Sequence, residues 1–227
     1  MINPKNKEQK KEGIMKKIVL LTTVLAWMLC MAPSMALAVP SFYSDRATWE
    51  SVVVNWADVD LDSQVADGAL LSAGSSINLP EHPANRTLSF NINLQGLQVP
   101  TSWSTWSGGN EPRVLHTMGS TTVTGTFSGG VRAFGLEMEP NPFDAYLMIL
   151  FADGTQLQQL VTGLSGAKFF GFSSDSAITS LTMTSTVDFA FGRMVVDASP
   201  VPEPSTLLLL GGGILGLVYY GKRRRSA

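Results

Sequence analysis

Hydrophobic and polar positions follow two different periods along this chain. Between Ser41 and Asn55 the spacing is helical. Trp49, Val52 and Val53 fall at i, i+3 and i+4, and Ser44 or Asp45 stands where an N-cap is needed, so a short helix is predicted there. The β-branched run Val52-Val53-Val54 competes with it. Further on the period becomes two. Leu88, Phe90, Ile92 and Leu94 alternate with Ser89, Asn91 and Asn93, which predicts a half-buried strand ended at Gly96. Thr121 to Phe127 alternates threonines with Val123 and Gly125. Further strands are predicted over Val131–Met138, Ala145–Phe151, Gln156–Leu160, Ala167–Phe172, Ile178–Ser185 and Phe189–Val196.

Turn residues separate these runs at short intervals: Gly129-Gly130, Pro140-Asn141-Pro142, Asp153-Gly154 and Ser173-Ser174-Asp175. Asp153-Gly154 between two apolar runs is the strongest hairpin signal. Ser72 to Asn85 and Val99 to Glu111 read as loops. Many short strands with turn-rich connections predict an all-β fold, an antiparallel β-sandwich that is jelly-roll-like, with the short helix before it.

The two ends have long apolar runs instead. Met15-Lys16-Lys17, the apolar stretch Ile18 to Met31 and the small-x-small site Ala36-Leu37-Ala38 have the order of a secretory signal. Residues 1–38 are therefore expected to be a signal peptide with an N-terminal extension, cleaved after Ala38. At the other end Val201-Pro202-Glu203-Pro204 precedes an uncharged stretch from Ser205 to Tyr220, and Lys222-Arg223-Arg224-Arg225 follows. As a helix that stretch is about 24 Å long against a hydrocarbon core of roughly 30 Å. Tyr219 and Tyr220 suit the interface, and the basic cluster belongs on the cytoplasmic side. A C-terminal transmembrane helix is the expectation, with the body on the far side of the membrane.

Charge is divided the same way. Between Val39 and Pro200, fifteen acidic side chains face six basic ones, a net charge of −9 with histidine neutral, although the whole chain stands at −2. Phosphate binding needs clustered Lys and Arg, so an acidic body argues against nucleic acid as partner. Cys30, the only cysteine, leaves with the signal, so the body at 39–200 is built without disulfides.

The tail, Pro202-Glu203-Pro204 followed by an apolar span and a basic end, resembles the PEP-CTERM sorting signal of Gram-negative bacteria. The resemblance implies recognition by an exosortase, a membrane enzyme that cuts near the motif. It further implies a path from the inner membrane to the cell surface and an association with exopolysaccharide or biofilm matrix. The body is similar, through looser patterns, to PEP-CTERM proteins of unknown function. Those patterns are Tyr43-x-Asp45-Arg46-Ala47-x-Trp49, Val131-x-Ala133-Phe134-Gly135, Asp153-Gly154 and Phe169-Phe170-Gly171-Phe172-x-Ser174-Asp175. Such proteins often carry an aliphatic-Asp pair in the last strand, a place Phe191-Gly192 is expected to take here.

Candidate chemistry is sparse. Asp58, Asp60 and Asp62 share one face if extended, which suits either a solvated strand face or hard oxygen ligands for Ca²⁺. Against a calcium loop, Ser63 and Ala69 stand where glycine and glutamate are wanted. Trp103 and Trp106 lie among Ser, Thr and Gly. They read as the cover of one end of the core, with glycan contact as the alternative. His82 and His116 make a poor zinc site, and Gly163-Leu164-Ser165-Gly166 has the wrong spacing for a nucleophile elbow. Glu137 and Glu139 read as one polar face of a strand. No cofactor is expected. The reading is a non-enzymatic, surface-sorted protein, with a carbohydrate-binding module and a secreted hydrolase as alternatives.

Overall fold

The computed structural model describes residues 40–80 and 86–198. They form a mainly β structure, a large antiparallel sheet with one short α-helix. The signal region with Ala36 and Ala38, His82, and the tail from Val201 to Arg225 lie outside the described residues. Among those described, no helix is long and apolar enough to cross a membrane.

The chain enters through β1 (Ser41–Tyr43) and α1 (Arg46–Val52). Asp45 caps α1 by accepting the Thr48 N–H at 2.8 Å, as the sequence predicts. The helix is shorter than expected on both sides. Ser41 to Tyr43 pairs with a distant strand instead, and Val53 already has extended backbone. Trp49 and Val53 are buried one turn apart, whereas Val52 is 54 % exposed. The buried face is therefore narrower than the i, i+3, i+4 triplet implied.

Next come β2 (Trp56–Asp58), β3 (Leu70–Leu71), β4 (Ser76–Asn78), β5 (Thr87–Phe90), β6 (Leu94–Gln98) and β7 (Arg113–His116). The predicted strand over 88–94 is thus two strands. Asn91 and Asn93 turn the chain between them, their side-chain oxygens accepting the N–H groups of Thr124 at 2.7 Å and Ala73 at 2.8 Å. Gly96 does not end the strand. It lies inside β6 because a Cβ there would stand 2.5 Å from Val65 Cγ1.

The remaining strands are β8 (Thr122–Pro140), β9 (Ala145–Leu150), β10 (Gln156–Val161), β11 (Lys168–Thr184) and β12 (Phe189–Asp197). The hairpin of β9 and β10 turns on Asp153-Gly154 as expected, with Gly154 at φ 85° and the Asp153 carboxylate accepting from Thr155 N–H. Two other expected turns are bends within strands. Gly129 and Gly130, at φ 82° and 72°, kink β8, and β11 breaks register between Ser173 and Ile178 opposite them.

These coupled bends divide the sheet into two halves that share both long strands. The first half of β8 pairs with β5 and with the end of β11, which continues to β9 and β10. The second half of β8 pairs with the start of β11 and with β12, which continues to β7, β6 and β3. One core cluster takes side chains from both halves, among them Leu88, Val123, Ile149 and Met183 from the first and Leu115, Phe134, Phe170 and Phe191 from the second.

The outer face of the second half is covered too. At its centre Gly135 of β8 lies directly opposite Gly171 of β11. The Phe169 ring occupies the trough they leave. A Cβ at Gly135 would be 2.3 Å from Phe169 Cζ, and one at Gly171 would be 2.8 Å from Trp49 Cδ1. Trp49 closes the layer from above, its indole N–H donating to the Phe172 carbonyl at 2.9 Å. Arg193, at φ 45°, forms a bulge in β12 that reverses the strand's phase. Phe189 and Phe191 face the main core before it, and Met194 and Val196 do so after it.

The last strand ends on Val196-Asp197, so the aliphatic-Asp pair sought at Phe191-Gly192 lies further on. Asp197 is buried and paired with Arg86, whose Nη1 stands 3.4 Å from Asp197 Oδ1 and whose Nη2 donates to the Asp197 carbonyl. Burial pushes the Asp197 carboxyl above its ordinary range, and the Arg86 charge offsets only part of that.

Candidate functional site

The second covered region of that outer face lies under the segment Val99 to Glu111. Glu137 and Glu139 alternate with the core residues Leu136 and Met138, so their side chains leave β8 on the opposite face. That face is not solvated. Glu137 is 5 % exposed and Glu139 1 %, because Trp103 and Trp106 lie over them and are themselves 8 % and 2 % exposed. The tryptophans pack with Leu97, Val99, Val114, Ala167 and Ala190.

Each buried carboxylate is satisfied by donors from the segments above it. Glu137 Oε2 accepts the Trp106 indole N–H at 2.7 Å and the Ser107 hydroxyl at 3.3 Å, and its Oε1 accepts from Arg193 Nη1 at 2.7 Å. The bulge in β12 brings Arg193 to this carboxylate. Glu139 Oε1 accepts from Thr105 Oγ1 at 3.1 Å and from the Leu164 N–H at 3.0 Å. The Gly166 N–H and the Trp103 indole add longer bonds. The near end of the same segment is fixed by Ser102 Oγ, which donates to Asp67 Oδ1 at 2.5 Å, and by Gln98 N–H, which donates to the same oxygen.

Beside Trp103 a cleft of about 310 Å³ opens between this segment and the turns at Pro140-Asn141-Pro142 and Gly163-Leu164. Its walls include Gln95, Ser104, Thr105, His116, Asn141 and an edge of Glu139. The His116 ring stands 5.3 Å from the Trp103 ring, centre to centre. His116 Nε2 lies 2.9 Å from Asp188 Oδ2, which also accepts from Asn141 Nδ2 at 3.2 Å. Burial raises the Asp188 carboxyl, but the hydrogen bonds from His116 and Asn141 outweigh it and hold the group below its ordinary range.

Glu139 behaves in the opposite way. Burial pushes its carboxyl up, and the bonds from Thr105, Gly166 and Trp103 recover only part of that. A folded-state pKa above the unfolded one means that the folded protein binds the extra proton. The stabilisation it brings is complete below the unfolded pKa and is lost as pH rises through the folded value. Glu139→Gln keeps an acceptor for Thr105 and the backbone N–H groups without the charge. The variant is expected to gain melting temperature over the parent as pH rises from about 4, the ordinary carboxylate value, through the raised folded-state value. Parallel melting curves for the two proteins across that interval would refute the assignment.

The structure brings together Trp103, Trp106, Glu137, Glu139 and His116, which the sequence left as separate features. It adds Asp188, Asn141, Thr105 and the backbone of Leu164. For Asn141 the only local signal was turn chemistry, which does not report what a turn stands beside, and Asp188 and Thr105 carried no signal of their own. The three aspartates share one face and border one recess with Arg113 and Arg193, but each carboxylate has its own partner. Asp58 accepts from Arg46 Nη2 at 2.5 Å, Asp60 from Ser63 N–H at 3.2 Å, and Asp62 stands 3.6 Å from Arg113 Nε. Val59 and Leu61 between them are buried. Among the described residues no group of three or more His, Cys, Asp or Glu is placed to hold a metal ion.

A comparison with curated proteins finds no match to the chain. The tail is different. Residues 200–225 match the PEP-CTERM protein-sorting motif, so the chain carries the signal of an exported protein that is anchored through its C-terminal region and sorted by an exosortase.

Proposed function

We propose that the body is a non-enzymatic β-sandwich, jelly-roll-like in its layering, that an exosortase delivers to the cell surface. There it holds an uncharged glycan of the exopolysaccharide or biofilm matrix. The observation that carries this reading is the cleft beside Trp103. It presents an aromatic edge next to amide, hydroxyl and imidazole groups from Gln95, Asn141, Ser104 and His116, and no Lys or Arg is among its walls. Sugar hydroxyls suit such a mixture, because they need paired donors and acceptors beside an apolar wall. A polyanionic ligand would meet Glu139 without a countercharge. The layered arrangement is supported by the shared core between the two halves of the sheet. The non-enzymatic reading is supported by Glu137 and Glu139, whose oxygens are occupied by donors from the covering segment.

The test is calorimetric titration of the chain with neutral oligosaccharides released from matrix polysaccharide. Ser104→Trp fills the cleft from an exposed position, and His116→Gln removes the imidazole. Each is expected to weaken binding on the order of tenfold, about 1.4 kcal/mol, and Ser104→Trp is expected to do so with an unchanged melting curve. Equal affinity in parent and Ser104→Trp would place the glycan elsewhere. Release of new reducing ends during the titration would make the protein a hydrolase instead.

A further inference from the structure

We propose that β10 is a self-association edge, through which two copies of this chain join antiparallel into one continuous sheet. Among the described residues, five strands pair on one side only. Four of them are blunted by length: β1, β2 and β4 have three residues each and β3 has two. The fifth, β10, runs for six residues and pairs in full register with β9 alone. Its sequence, Gln156-Leu157-Gln158-Gln159-Leu160-Val161, has no charge and no proline. Edges that stay single are usually protected by lysine, proline, a bulge, shortness or a covering segment. β10 has no lysine, proline or bulge, and its side-chain tie beyond β9 is Gln159 Nε2 donating to the Phe169 carbonyl at 2.6 Å.

The surface beside the edge fits the same reading. Leu160 and Tyr146 stand opposite each other across the hairpin and are 48 % and 54 % exposed. From Ala145 to Val161 the only charged residue is Asp153, at the turn. Two copies of a body with net charge −9 repel each other over most of their surface, and this uncharged hairpin is a place where they can approach. A second copy is the natural occupant because identical strands meet edge to edge about a two-fold axis, each supplying the donors and acceptors the other needs. Sorting adds concentration. Copies that share one tail and one destination are held in a common layer, which converts a weak pairing into a populated one.

The test uses the full chain in detergent, in a Cys30→Ser background that makes any introduced thiol the sole one. Cysteine is placed singly at Gln156, Gln158 and Leu160, and at the exposed Thr101 as a control. Under mild oxidation at least one β10 position is expected to yield disulfide-linked dimer at tenfold or more above the Thr101→Cys level. In density-matched detergent the parent should sediment at twice the monomer mass, and Gln156→Lys/Gln158→Lys should return it to the monomer. Equal cross-linking at Thr101 and β10, or a monomeric parent, would overturn the proposal. A dimer that survives both lysines would also overturn it, by assigning association to the tail.

Discussion

In a cell that contains an exosortase, replacing Pro202-Glu203-Pro204 with three alanines is expected to leave nearly all of the protein full-length in the inner membrane. Insertion should not change. The uncharged stretch Ser205 to Tyr220 and the cluster Lys222 to Arg225 are untouched, and moving four cations through hydrocarbon is very costly. The loss falls on recognition. Two prolines fix φ and remove two backbone donors, which favours an extended segment that an enzyme can take up, and the charge of Glu203 opposes drawing that segment into hydrocarbon. Alanines restore helix propensity across the boundary and allow the span to continue outward. A blot of membrane and surface fractions against the body domain reads the result. The parent should appear in its processed form at the surface, and the variant should not. Unchanged processing of the alanine variant would show that the enzyme does not read these three residues.

Arg86→Met is expected to destabilise the body by about 3–5 kcal/mol, the usual cost of leaving a buried charge without its partner. Asp197 is 4 % exposed and Arg86 7 %, so water does not replace the lost guanidinium. Removing both charges should recover most of the loss, because Arg86→Met/Asp197→Leu leaves no uncompensated ion in the core. The sign of the pH effect also follows. Burial already raises the Asp197 carboxyl, and losing Arg86 removes a charge that lowered it. In Arg86→Met the group is held more strongly in its protonated form, so the deficit should shrink as pH falls through the folded-state value. Urea unfolding followed by tryptophan fluorescence measures all three proteins. A deficit in Arg86→Met under about 1 kcal/mol at neutral pH would place the pair among exposed, weakly contributing bridges.

Local signals in the sequence predicted local structure well. Asp45 caps the helix because a carboxylate one residue before it has the N–H groups of the first turn as its nearest donors. Asp153-Gly154 makes the hairpin because only glycine takes the positive φ cheaply. The sorting tail was legible because its three parts are contiguous. The sequence reading failed where a residue's partner is remote. Gly129-Gly130 has turn chemistry, but the register break in β11 opposite makes it a shared bend. Asn91 and Asn93 continue the alternation of a strand, yet their side chains turn the chain toward Thr124 and Ala73. Glu137 and Glu139 have the period of an exposed strand face. Nothing near them in the chain announces that Trp103 and Trp106 lie across them, more than thirty residues away. The Arg193 bulge was hidden for a related reason, since Phe189, Phe191, Met194 and Val196 break alternation only once.

The trough of Gly135 and Gly171 has a consequence for how this sequence can change over time. Both glycines, the Phe169 ring and the Trp49 indole form one packed unit, with the two rings meeting edge to face at 6.1 Å. A methyl group at either glycine is tolerable only if the ring shrinks or the helix lifts. A larger residue at position 169 is tolerable only if both floor positions stay bare. Descendants of this chain are therefore expected to alter these four positions together or keep them together. In an alignment they would form one column in effect, although they are scattered over more than a hundred residues of sequence.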